Sequence, residues 1–237
     1  MTRLLLKVSG FLLVIQLFSF PLFSQKDTKP GGWEGKAISD WNQSDVNDIL
    51  RESEWSRIVT GKSSLSNPLI GTVVVDSKIL FTLRSSLVLR YAIVRSEQLK
   101  AKYDSMDDKA KAGFDAQMRP LLACSDCDRF YIVSIVADSD LLGNAAGVQR
   151  RASKIFLLND KGEKRELVRF SPKTTGSSEA LFFFKRYDAN GMPLLSPRNT
   201  SFSFNFGVEP QDDDPIRIME RIEVKVPLIV RQNQVIF

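Results

Sequence analysis

The chain has 237 residues, 33 basic and 28 acidic side chains, two cysteines and no histidine, for a net charge of +5. Without histidine there is no Ser-His-Asp or Cys-His nucleophile, no imidazole metal site and no acid–base group with an ordinary pKa near neutrality. So small a positive balance also gives no ground for expecting a nucleic-acid partner.

Residues 1–24 read as an export signal. Arg3 and Lys7 supply a basic start, an apolar run follows from about Phe11 to Phe20, and Pro21 to Ser24 precede polar Gln25. Removal of these 24 of 237 residues leaves 213 and a net charge near +3. The alternative is an uncleaved inner-membrane tether, because Leu4 to Phe23 gives the roughly 20 apolar residues that a span needs. No cysteine lies near the junction, so no lipid-anchored product is expected, and no later run approaches membrane-spanning length.

Residues 25–66 are expected to form a polar lead followed by a helix flanked by tryptophans. Ser44 is the expected N-cap, Asp45 and Asp48 favour the positive end, and Val46, Ile49 and Leu50 make the apolar stripe. Trp33, Trp41 and Trp55 could form a binding surface, but three large aromatics around one helix are better read as its attachment to a body.

The body is expected over 67–237. Val73 to Val75 and Ile79 to Leu83 make one long bent strand or two joined at Asp76-Ser77. A helical excursion follows at about 86–122. Ser85 or Ser86 caps its first helix, which has Leu87, Tyr91 and Val94 on one row and Leu89 and Ile93 beside it, and which turns polar beyond Arg95. Ser105, Asp107 and Asp108 open the second, with Met106, Ala110, Phe114, Met118, Leu121 and Leu122 at helical spacing. Pro120 is expected to kink or end it.

From Phe130 the pattern is of short strands and turns. Phe130 to Val136 carries apolar side chains in both alternating sets and predicts a strand covered on both faces. Segments 152–158 and 165–170 flank a hairpin loop in which Gly162 takes a positive φ. Ala180 to Tyr187 contains Phe182-Phe183-Phe184, and Thr200 to Phe206 places Phe202, Phe204 and Phe206 on one face. Two last segments, 219–226 and 235–237, complete seven or eight strands, and Pro227 puts the first of them at an edge. The expected fold is α+β: an antiparallel β-sandwich, Ig-like in its layers, with an N-terminal helix and a helical insertion.

Cys124 and Cys127 are the strongest motif. Between a helix and a strand in an exported chain, they predict a short structural disulfide. The alternative is a thiol–disulfide oxidoreductase with Cys124 as nucleophile and Cys127 as resolving thiol, which needs Cys124 exposed at a helix N-terminus. Asp128 stands where haem attachment would need histidine. Two cysteines alone do not complete a zinc site.

Asp138-x-Asp140 and Asp188-x-Asn190-Gly191 are fragments of calcium loops without the remaining ligands, and read as turns. Asp212 to Asp214, between prolines, reads as an exposed loop. The clusters Arg150-Arg151, Lys161-x-x-Lys164-Arg165 and Lys185-Arg186 read as charged outer faces of hairpins. No catalytic residue, metal ligand or cofactor site is therefore assigned.

Several segments resemble a family of exported proteins common in Acidobacteria: Ile49-Leu50-x-x-Ser53-x-Trp55, Cys124-x-x-Cys127-x-x-Phe130-Tyr131-Ile132-Val133, Gly162 through Phe170, and Ala180-x-Phe182-Phe183-Phe184-x-Arg186-x-Asp188. The resemblance spans most of the chain after the signal. It implies export and a compact β-rich body, and brings no activity or functional residue with it. The expected function is a non-catalytic interaction or envelope-associated module with an unknown protein or envelope partner.

Overall fold

The computed structural model describes residues 32–67, 71–137, 148–149, 152–174, 179–205, 222–225, 230–231 and 234–235. The expected signal, most of the polar lead, Asp138-x-Asp140, Arg150-Arg151, Phe206 and the acidic stretch 209–215 lie outside the described residues.

Helix α1 (Gln43–Arg51) starts two residues earlier than the Ser44 cap predicts. Asn42 is the cap: its side chain accepts from the Ser44 and Asp45 amides at 2.8 and 3.1 Å, and Asp45 accepts in return from the Asn42 amide at 3.0 Å. The reciprocal acid three residues on decides between two cap-type residues. Asp45 also takes the Lys36 ammonium at 2.8 Å, which with the Asn42 amide holds its pKa below the usual carboxylate value. The three tryptophans are buried, with Trp33 in ring contact with both Trp41 and Trp55 at centroid distances of 6.1 and 5.8 Å. They attach α1 to the body instead of forming a surface.

Two strands then appear between the expected helix and Val73, where no strand was expected. β1 (Glu52–Ser53) is short, and β2 (Ser56–Asn67) pairs antiparallel with β3 (Gly71–Leu83) from Ser56↔Thr82 to Asn67↔Gly71. β3 is one strand through Asp76-Ser77. The boundary expected at 66/67 therefore falls at the end of β2, and Trp33, Trp41, Val46, Ile49 and Trp55 belong to the same core as the sheet.

The helical excursion consists of α2 (Leu87–Lys100) and α3 (Asp108–Ala123). Asp107 caps α3 by accepting from the Ala110 amide at 2.8 Å. Pro120 lies inside α3, which ends three residues later at Ala123, with Cys124 as its C-cap.

The remaining strands are β4 (Phe130–Ala137), β5 (Phe156–Asn159), β6 (Lys164–Ser171), β7 (Glu179–Lys185), β8 (Ser201–Asn205) and β9 (Ile222–Lys225), with a separate ribbon of β10 (Val230–Arg231) and β11 (Gln234–Val235). Ala152–Lys154, expected to begin a strand, is a single 3-10 turn before β5. Gly162 takes φ 82° in the β5–β6 hairpin, as the turn requires.

The expected pair of facing sheets is not what these strands form. β1 to β9 make one antiparallel sheet in the order β1-β2-β3-β4-β7-β6-β5-β8-β9, curled into a half-barrel. β3 and β8 are five places apart, roughly 24 Å in a flat sheet. Yet the Phe81 and Phe204 rings lie 5.9 Å apart, and Glu223 on β9 acts electrostatically on Arg57 of β2. A bulge between Leu167 and Arg169, against Phe184 and Phe183 of β7, adds twist in the middle of the sheet and so favours this curl.

Inside the curl lie Phe81, Tyr131, Phe182, Phe184, Phe202 and Phe204, continuous with the tryptophans and with Leu89 of α2. β4 is buried on both faces, as expected, and so is β7: Ile132 and Phe183 join Cys127 in a second, smaller cluster. Ser203, placed on an open face by alternation, is buried as well, with its hydroxyl 3.4 Å from the Leu158 carbonyl.

The loop after β7 is tied back to the sheet through Asp160. This carboxylate accepts from Asn199 Nδ2 at 2.7 Å and from the Thr200 amide and hydroxyl at 2.9 and 2.8 Å, which brings its pKa down to about 2 from 3.8. A lowered folded-state pKa gives stability that is present above the unfolded value and lost as pH falls towards 2. Asp160→Asn is therefore expected to weaken the fold at neutral pH and to flatten the loss of stability between about pH 4 and pH 2. Urea midpoints measured across that window check this, and an unchanged slope would contradict it.

Candidate functional site

The cysteine turn is built where α3 runs out. Pro120 has no amide to donate, so the last turn of α3 lacks one ladder bond. Cys124 then adopts φ 42°, the left-handed C-terminal conformation that glycine usually supplies, and donates its amide to the Pro120 carbonyl at 3.0 Å. The chain doubles back: the Cys127 amide donates to the Cys124 carbonyl at 2.8 Å, and Cys124 and Cys127 are disulfide-bonded with Cα atoms 5.3 Å apart. The Phe130 amide, donating to the Asp126 carbonyl at 2.9 Å, delivers the chain into β4.

The two sulfurs differ in environment. Cys127 is buried against Ile132 and Phe183, whereas Cys124 is half-buried at the edge of that cluster. Asp126, between them, accepts from Arg129 at 2.8 Å and from Arg169 at 2.5 Å. Hydrogen bonding to Arg169, and then to Arg129, holds its carboxyl below the usual range. The Arg169 guanidinium also lies 3.7 Å from the centre of the Phe183 ring and 5.5 Å from that of Phe130. One arginine of β6 thus fastens the turn to the sheet by charge and by cation–π contact.

A second arginine fastens it from the helical side. Arg90 of α2 is only 5% exposed, and its Nη1 donates to the Leu122 carbonyl in the last turn of α3 while Nη2 reaches the Ser85 carbonyl at 3.5 Å. A cation is well placed at the negative end of a helix dipole. Burial, and the neighbouring Arg186, push its pKa below the ordinary guanidinium value. Sequence reasoning missed Arg90, although a charged residue inside the apolar girth of α2 was the available signal.

This arrangement is the reverse of a reactive thiol site. Thiolates are favoured at helix N-termini, where the dipole is positive; Cys124 is at a C-terminus.

No family model, curated protein or solved structure matches the chain.

Those of the other motifs that lie within the described residues form turns and packing contacts. Asp188 Oδ1 accepts from the Asn190 and Met192 amides, both at 2.8 Å, which holds its pKa down and uses the carboxylate for a loop. Among the described residues no cluster of three or more His, Cys, Asp or Glu side chains could hold a metal ion. Lys164 pairs with Glu166 at 3.0 Å and lies over Phe156, Arg165 donates to the Met192 carbonyl at 3.0 Å, and the Arg186 guanidinium lies 5.1 Å from the centre of the Tyr131 ring. The Tyr131 hydroxyl accepts from the Leu195 amide at 3.2 Å, and burial pushes its pKa up to about 12. Among the described residues no helix is long and apolar enough to cross a membrane.

Proposed function

We propose that this chain is an exported, non-catalytic interaction or envelope-associated module whose disulfide is structural. The observation that carries this reading is the position of the cysteine pair at the C-terminal end of α3, with Cys127 buried, the turn between the two held by Arg169 through Asp126, and the helix end before it held by Arg90 at the Leu122 carbonyl. Catalytic dithiols need one sulfur open to a substrate and stabilised as a thiolate, and neither condition is favoured here. Export, to the periplasm or beyond, rests on the pattern of residues 1–24 and on the resemblance to an exported family. The same body held at the inner membrane by an uncleaved signal would serve equally well. Its partner is another protein or a component of the envelope, and no cofactor takes part.

The purified chain should give no turnover in insulin reduction driven by a dithiol. Sustained turnover, lost in Cys124→Ser, would replace this reading with a thiol–disulfide oxidoreductase in which Cys124 attacks and Cys127 resolves.

A further inference from the structure

Helix α3 is unusual within this fold. It has 16 residues, and none of them is buried, although Phe114, Met118, Leu121 and Leu122 form the apolar stripe that a core-facing helix would bury. These four are half-buried; α3 packs on α2 and makes no comparable contact with the sheet. Such an element has little apolar burial to hold it shut and belongs to the low-stability end of the structure.

Its ends are also distinctive. Among the described residues only two non-glycine residues have positive φ, Lys102 at 54° and Cys124 at 42°, and they flank α3 on either side. Left-handed backbone at residues with a Cβ is costly and persists only where the surroundings impose it. At the Lys102 side, Arg95 holds Asp104 at 3.1 Å and Tyr103 reaches Asp115 at 3.0 Å. At the Cys124 side, the disulfide and the Arg90 bond to the Leu122 carbonyl do so.

We infer that α3 is a hinged strap that opens as one unit about Lys102 and Cys124, with the Cys124–Cys127 bridge and Arg90 as the latch at its C-terminal hinge. Opening uncovers Phe114, Met118, Leu121 and Leu122 and removes one of the two acceptors of the Arg90 guanidinium, while the half-barrel stays closed. Reducing the bridge takes two electrons from an added dithiol, which becomes a disulfide, and leaves two thiols.

Hydrogen exchange on the intact chain tests this, with dithiothreitol opening the bridge so that no substitution is needed. In the oxidised protein, amides of residues 112–119 should exchange together and at least about tenfold faster than those of β4 and β7. After reduction they should speed up by about a further tenfold, as a short closed loop is released, with β4 and β7 unchanged within about twofold. Protection of α3 equal to that of β4 would overturn the inference, and so would equal acceleration of all three elements on reduction. Neither result depends on whether insulin is turned over, so this reading and the proposed function fail separately.

Discussion

Phe204→Ala is expected to destabilise the protein by about 3–5 kcal/mol, a large fraction of the roughly 5–15 kcal/mol that holds a domain of this kind together. Phe204 is fully buried and lies within ring contact of Phe81, Phe182 and Phe184, so truncation leaves a cavity bordered by three strands that cannot all collapse onto it. Phe81 comes from β3, five places away in the sheet, and the two rings meet only because the sheet curls. A double-mutant cycle on Phe81→Ala and Phe204→Ala should therefore show a coupling of about 0.5–1.5 kcal/mol. Strict additivity in urea unfolding would mean that the rings do not touch and that the sheet is flatter than described.

Arg90→Ala carries the second large effect. Its guanidinium is buried and satisfies carbonyls at both ends of the α2–α3 excursion, Ser85 and Leu122, so removal leaves two acceptors with less and opens a void along the aliphatic stem. The expected loss is about 2–4 kcal/mol, since each buried polar group left unmet costs roughly 1–3 kcal/mol. Arg90→Lys should recover less than half of that loss. A single ammonium on a flexible stem does not reproduce a fork of donors aimed at two carbonyls. Full rescue by lysine, read from urea midpoints, would show that charge alone matters and that the paired acceptors do not.

Much of the strand content was legible because these strands are buried on one or both faces. Tyr131 to Ile135 and Phe182 to Phe184 read as strands from β-branched and aromatic runs, and both are buried as that composition implies. β2 was not legible. Gly61, Ser63, Ser64, Ser66 and Asn67 have the composition of a loop, and their extended state comes from register with β3, a partner that local pattern cannot supply. The curl was hidden for a related reason. Alternation says that a face is covered, but does not say whether a second sheet or the far end of the same sheet covers it. The single-residue irregularity between Leu167 and Arg169 leaves almost no trace in hydropathy. At the cysteine turn the order helix, Cys124, Cys127, strand could be read directly. The arginines that hold it could not, because Arg90 and Arg169 lie 34 residues before and 45 after Cys124, on α2 and β6.

Equilibration of the Cys124–Cys127 pair against dithiol buffers of known potential bears most directly on the account, because a brace and a reagent differ in how readily they accept electrons. A bridge that braces a helix end and a strand entry should have a reduction potential below about −300 mV. A value between about −270 and −120 mV, the range of dedicated thiol–disulfide proteins, would contradict it.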